Sequence, residues 1–277
     1  MPVSQAEKGA RFRALHERPG AFVIPNPWDA GTARLLAGLG FEALTTTSAA
    51  VAFGLGRVDH QVTRDEALAN ARAIAEATDL PTAGDLENGY GDSPEDAAGT
   101  IRRAGEEAGL VGGSIEDSSR DPARPIYDFQ HAVERVAAAA EAARALPAPF
   151  VLVARSENYL HGRPDLDDTI RRLQAFERAG ADVLFAPGIS RAEEIRTVCA
   201  SVGKPVNVLM SMKGVGLSVA ELAALGVRRI SVGPALYRAA LGTFVRGARE
   251  LRERGTFGFV EEAPTAAEVR ALIEGRA

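Results

Sequence analysis

The chain has one cysteine among its 277 residues, Cys199, so an intramolecular disulfide is excluded. The residue falls in "EEIRTVCASVG", whose apolar positions follow the period of an amphipathic helix, and a free cysteine so placed reads as a buried structural residue. No run reaches about 18 apolar residues, which excludes a spanning helix of the usual kind. The opening "MPVSQAEKGARFRALHERPG" is charged and has no apolar centre, so it does not read as a secretory signal. Long blocks of one charge are also missing. With 32 basic and 37 acidic residues the net charge is −5, and no nucleic-acid or membrane partner is expected. What is present, 46% hydrophobic and 25% charged residues, is the balance of a globular protein, and a cytoplasmic enzyme is the expectation.

The length fits one large α/β domain spanning residues 1–277, with a barrel over about 20–254 and a C-terminal extension over about 255–277. After an N-terminal helix near residues 4–17, short apolar runs alternate with Ala-, Arg- and Glu-rich stretches of helical period. The runs at 21–25, 42–47, 81–85, 111–116, 150–155, 182–187, 205–209 and 228–233 are eight predicted strands. Helices are predicted over 29–38, 64–78, 94–109, 128–145, 165–179, 191–201, 218–225 and 234–252. Several of these helices open on cap chemistry, as in Ser93-Pro94-Glu95. The phrases "LAGLGFEAL", "GEEAGLVGG", "FERAGADVL" and "LAALGVRRI" each set a glycine between a helix end and a strand start. Eight such units predict a (β/α)8 TIM-type barrel, with a doubly wound open sheet as the rival. The extension adds a helix that should pack on a neighbouring subunit or across the outside of the barrel.

In such a barrel, chemistry sits where strands end. Asp85 ends the third predicted strand with Glu87 beyond it, Glu116 ends the fourth, Arg155 ends the fifth, and Asp59 lies in the loop after the second. Carboxylates crowded together repel one another, and a divalent cation resolves the conflict. An oxygen donor set points to Mg²⁺, with Mn²⁺ as the alternative. The plainer reading makes these acids loop charges, caps or partners of Arg120 and Arg124, and it suits Asp92 and Asp117 best. Arg155, at the end of an apolar strand, must meet an anion. The run "TTTSAAV" ends the second strand in small residues whose amides could hold a carboxylate. "SVGPALYR" at 231–238 reads equally as a phosphate cup or as a helix opened by Pro234. His60 and His161 fall in loops with no identifiable partner.

In their order along the chain, "TTSAAVAFGLG", "GDLENGYGD", "GGSIEDSS", "VLVARSENY" and "GADVLFAPGI" resemble the phosphoenolpyruvate mutase/isocitrate lyase superfamily over about residues 20–240. The resemblance implies an α/β barrel, a homo-oligomer (a dimer or a tetramer of dimers that exchange the eighth helix), and Mg²⁺-assisted binding of small 2-oxo or 2-hydroxy acids. It implies that Asp85 contacts the metal while Glu87, Glu116 and Asp59 hold it largely through water. Arg155 would neutralise an enolate or carboxylate oxygen, and the backbone of Thr47, Ser48 and Ala49 would bind the substrate carboxylate. Arg155, Asp59 and Glu116 are thus the expected catalytic residues. Glu87 departs from the family's commoner aspartate. The lyases' cysteine-bearing acid loop is replaced by "EDSSRDPARPIYDF", and the glutamate after their sixth strand by "APG". With these departures the resemblance assigns neither named activity: a C–C lyase is the first expectation and a C–P bond enzyme the next, while the lost acid loop is the feature that favours a catalytically silent binding homologue. Ser118, Ser119, Arg120, Tyr127 and Tyr90 are the local candidates for proton transfer.

Overall fold

The computed structural model describes residues 3–211 and 216–275; the last two residues of the expected C-terminal extension lie outside that range. Eight parallel strands, β1 (Phe22–Ile24), β2 (Leu44–Thr45), β3 (Thr82–Asp85), β4 (Gly112–Glu116), β5 (Val151–Arg155), β6 (Val183–Phe185), β7 (Val206–Leu209) and β8 (Arg229–Ser231), pair with their chain neighbours, and β8 pairs with β1. Among the described residues only the β1–β2 seam lacks a ladder. There the Thr45 N–H donates to the Pro25 carbonyl at 3.1 Å. Asn26 fastens the same seam, donating through Nδ2 to the Thr46 carbonyl (2.8 Å) and accepting at Oδ1 from the N–H groups of Val232 (3.0 Å) and Gly233 (2.8 Å). The result is the predicted (β/α)8 barrel.

Helix α1 (Gln5–Glu17) starts at a Ser4–Glu7 capping box and closes the N-terminal face of the barrel. Its Phe12 and Leu15 join Phe22, Ile24, Val111, Val151 and Val153 in the core inside the barrel. Gly112 lets them in, because a Cβ there would lie 2.6 Å from the Phe12 ring. Gln5 Nε2 donates to the Gly105 (2.7 Å) and Leu110 (3.0 Å) carbonyls, and Lys8 Nζ to those of Ala75 (3.0 Å) and Thr78 (2.6 Å), tying α1 across the helix ends on that face.

The outer layer holds α2 (Ala30–Gly38), α3 (Ser48–Gly54), α4 (Arg64–Ala77), α5 (Pro94–Glu106), α6 (Phe129–Ala145), α7 (Leu166–Ala179), α8 (Ala192–Ser201), α9 (Val219–Ala224) and α10 (Ala235–Arg254). The glycine punctuation is realised: at Gly180 and Gly226 the chain leaves the helix in the left-handed region, φ 108° and 98°. One expectation is corrected. The second strand, predicted over 42–47, is only Leu44–Thr45, and the following stretch is not a plain loop but opens with α3. Its residues, SAAVAFG, are alanine-rich and favour helix, while β2 has a ladder partner on one side only. Beyond α10 a 3₁₀ turn (Gly258–Glu262) leads to α11 (Ala266–Ile273), which packs on α2 where Gly38 faces the Leu272 backbone. The extension thus crosses the outside of its own barrel.

Candidate active site

The acidic residues picked out in the sequence meet at the C-terminal mouth of the barrel in two groups. The first surrounds Arg155, the last residue of β5. Its Nη1 lies 2.8 Å from Asp85 Oδ1, and its Nη2 lies 3.3 Å from Glu116 Oε2 and 2.9 Å from Glu157 Oε1. The Phe185 ring carries the guanidinium at 5.2 Å. Asp85 Oδ2 accepts from the Ser48 N–H (3.1 Å) and hydroxyl (2.9 Å), so α3 is docked on β3 through that carboxylate. Burial works against the charge of Arg155, yet Glu157, Glu116 and Asp85 outweigh it and hold its pKa above the ordinary arginine value. Glu116 is enclosed, and burial, opposed by Arg155, lifts its pKa well above the carboxylate range.

The second group surrounds Glu87. His60 Nδ1 lies 3.1 Å from Glu87 Oε2, which also pairs with Arg120, while Oε1 is buried without a hydrogen-bond partner. One donor atom each from Asp59, His60 and Glu87 falls within a 4.8 Å span. Burial raises the pKa of Asp59, with Asp85 and Glu87 adding to it, and the bond to Glu87 raises that of His60. Among the described residues the non-glycine positions with positive φ are His60 (66°), Glu87 (49°), Tyr90 (61°) and Arg120 (61°). All four belong to this cluster, since Arg120 also stacks 5.3 Å over the Tyr90 ring. Such backbones cost roughly 1–3 kcal/mol each and gather where function demands them.

Five carboxylates (Asp59, Asp85, Glu87, Glu116, Glu157) thus face two guanidinium groups (Arg120, Arg155). The excess negative charge, the orphaned Glu87 oxygen and a donor set of carboxylates with one imidazole fit a hard dication such as Mg²⁺ or Mn²⁺. A cavity of about 260 Å³ opens beside them, and its wall includes Thr47, Ser48, Ala49, Asp59, Asp85 and Arg155. Glu87 and Glu116 are not part of that wall. A larger groove of about 540 Å³ lies beside the loop after β4, but none of the five carboxylates lines it.

The remaining candidates separate. Ser118 Oγ and His161 Nε2 are 3.2 Å apart, which gives His161 the partner its sequence context did not reveal. The Ser119 hydroxyl is spent on the Arg124 carbonyl, and the Tyr127 hydroxyl donates to Asp92 while accepting from Asn88 at 3.1 Å. Asp117 is neither a cap nor a loop charge. It is buried against Arg172 (3.1 Å) and accepts the Glu157 N–H (2.8 Å), with burial lifting its pKa to about 6 against the pull of Arg172. The Val232 and Gly233 amides expected in a phosphate cup are taken by Asn26, which leaves the reading of a helix opened by Pro234. Cys199 is half-buried in α8, and burial pushes its thiol up to about 11. Sequence reasoning missed Glu157, Asn207 and Arg229. Glu157 stands two residues after Arg155 and could have been taken with it. Arg229 could have been found by period, because Arg229 and Ser231 share the inward face of β8.

The family model for phosphoenolpyruvate phosphomutase matches residues 12–252. A crystal structure of a putative lyase/mutase from Burkholderia cenocepacia is 58% identical, with a TM-score of 0.93 over 96% of this chain and 95% of that one. An uncharacterized protein of Mycobacterium tuberculosis is 32% identical, covering 87% of this chain and 89% of its own. The oxaloacetate decarboxylase of Paraburkholderia xenovorans is also 32% identical, covering 79% and 73%. With the ordered motifs of the barrel mouth, these matches show that the chain belongs to the phosphoenolpyruvate phosphomutase family, within the phosphoenolpyruvate mutase/isocitrate lyase superfamily of metal-dependent lyases and mutases.

Proposed function

We propose that the protein is a Mg²⁺-dependent lyase that cleaves a C–C bond in a small 2-oxo- or 2-hydroxy-dicarboxylate through an enolate. The observation that carries this reading is Arg155, buried at the barrel mouth among Asp85, Glu116 and Glu157 and next to the Asp59–His60–Glu87 cluster. Asp85, Glu87 and Glu116, with Asp59, would hold the dication, which supplies positive charge for the oxygen at C2. Arg155 supplies a fixed second charge to that oxygen, pre-oriented by its carboxylate partners, so that little reorganisation accompanies bond breaking. The start of α3, at Thr47, Ser48 and Ala49, lines the cavity and would orient the substrate carboxylate. The cavity, at about 260 Å³, has room for a short diacid. The Ser118 hydroxyl, in the loop that lacks the lyases' cysteine, and the His161 imidazole, in the loop after β5, would form a paired proton carrier. We also infer a homo-oligomer, a dimer or tetramer, in which α10 is exchanged.

The test is an assay with Mg²⁺ on a panel of 2-oxo and 2-hydroxy diacids and phosphonopyruvate, reading pyruvate, glyoxylate or phosphoenolpyruvate. Release of a 2-oxo product from a diacid, abolished by a chelator, is expected. Turnover of phosphonopyruvate alone would replace the C–C reading by C–P chemistry, and silence with oxalate still binding would make the protein a binding homologue.

A further inference from the structure

Arg229 is the first residue of β8 and pairs in register with Phe22 on β1 and Asn207 on β7. It is 4% exposed and forms part of the wall of the 260 Å³ cavity. Among the described residues no carboxylate lies within salt-bridge distance of it, and no hydrogen bond holds its guanidinium; Nε and Nη1 are buried and unpartnered. The neighbours it meets among the described residues are uncharged. The Phe12 ring lies 5.7 Å below it, and His16 on the same helix is driven neutral by burial and by Arg229 itself. Asn207 Nδ2 donates to Ser231 Oγ at 3.0 Å, which leaves Asn207 Oδ1 buried without a partner on the adjoining wall. Burial draws the pKa of Arg229 down to about 9, so the group still carries its charge at neutral pH.

A guanidinium enclosed in a barrel without a counter-ion is a costly arrangement, and arginine matches an oxyanion bidentately. Among the described residues its open side is the cavity. Arg155 is the last residue of β5 and Arg229 the first of β8, three strands further round the barrel, so the cavity has one guanidinium at its mouth and one toward its floor. The pairing differs sharply between them: Arg155 is saturated with carboxylates, and Arg229 has none.

We propose that Arg229 is a specificity-determining residue that receives the second carboxylate of a diacid whose 2-oxo or 2-hydroxy end is held at Arg155. This inference rests on the reading given under Proposed function and adds to it the residue that distinguishes a diacid from a monoacid. Asn207, in register with Arg229 on β7, and Ser231, two residues further along β8, line the same cavity.

Malate and 2-hydroxybutanoate share a four-carbon skeleton and a 2-hydroxyl and differ by the second carboxylate. By calorimetry in Mg²⁺, the wild-type chain should bind malate at least about 30-fold more tightly, the scale of a buried charge-assisted contact. In Arg229→Met that preference should fall to within about 3-fold while oxalate, which needs only the mouth, binds as before; Arg229→Lys should keep part of the preference. A merely structural arginine would lower thermal stability when replaced, whereas Arg229→Met should melt at the same or a higher temperature. The inference is overturned if the wild-type chain does not distinguish the two acids, a result that needs no variant to fold. It is also overturned if Arg229→Met keeps the preference or loses oxalate and malate alike. Failure of oxalate to bind the wild-type chain, with the Arg229-dependent preference intact, would instead overturn the metal-site reading and leave this subsite standing.

Discussion

Asp85 is shared between a cation and a helix start. One oxygen meets Arg155 at 2.8 Å and the other accepts both polar groups of Ser48, so it links β3, β5 and α3 at a single point. Asp85→Ala should weaken Mg²⁺-dependent oxalate binding by at least about 100-fold, beyond what loss of an outer-shell partner costs. The fold should persist, because Arg155 keeps Glu116 and Glu157. Calorimetry beside circular dichroism checks both halves, and retained oxalate affinity in a folded variant would count against the assignment. At this scale the sequence was informative for Asp85, Glu87, Glu116 and Arg155, since a charge that interrupts an apolar strand at its end has few other places to go. For Glu157 and Arg229 it offered only a position, beside Arg155 and on the inward period of β8; that one is paired and the other is not depends on which side chains face them across the barrel.

Helix α1 owes its position to packing and to one titratable group. His16 sits edge-on between Phe12 (4.8 Å) and Phe22 (5.0 Å), and its Nδ1 lies 2.8 Å from the Phe12 carbonyl. Burial first, and the charge of Arg229 second, drive its pKa from 6.5 down to about 3. The folded state therefore leaves His16 unprotonated where the unfolded chain takes up a proton, and stability is present in full above pH 6.5 and is lost as the pH falls from there toward 3. At pH 5 this one group should cost about 2 kcal/mol relative to pH 7.5. Urea unfolding of the wild-type chain and of His16→Leu at both pH values measures it: the variant should lose that part of the pH dependence, and an unchanged difference would refute the assignment. The element pattern itself was readable, because helical and strand periods alternate and glycines mark the turns. The short α3 was not, because seven residues offer too little periodicity to separate a helix from a loop.

The outer surface carries an unresolved demand for a partner. Of the twenty residues of α10 only Gly247 is buried, while Leu236, Leu241, Phe244 (71% exposed) and Leu251 are exposed, as are Phe257 and Val260 just beyond it. A contiguous apolar strip of this kind marks an interface. Sedimentation velocity should show a dimer or tetramer, and Phe244→Glu should shift the population toward smaller species; a wild-type chain that sediments as a monomer at micromolar concentration would refute the exchange of α10. No helix among the described residues is long and apolar enough to cross a membrane, so a bilayer-spanning role for this strip is not the reading it supports.

The sequence by itself determined the barrel and the identity of its charged mouth, because hydrophobic period, glycine caps and strand-end charges are local properties that survive without knowledge of neighbours. Only the tertiary structure decided which charges compensate one another. It paired Arg155 with three carboxylates, gathered three other left-handed residues around the left-handed Glu87, and left Arg229 facing a cavity with no counter-ion. Electrostatic energy depends on distance and burial between residues far apart in the chain, and those quantities come into existence only when the barrel closes.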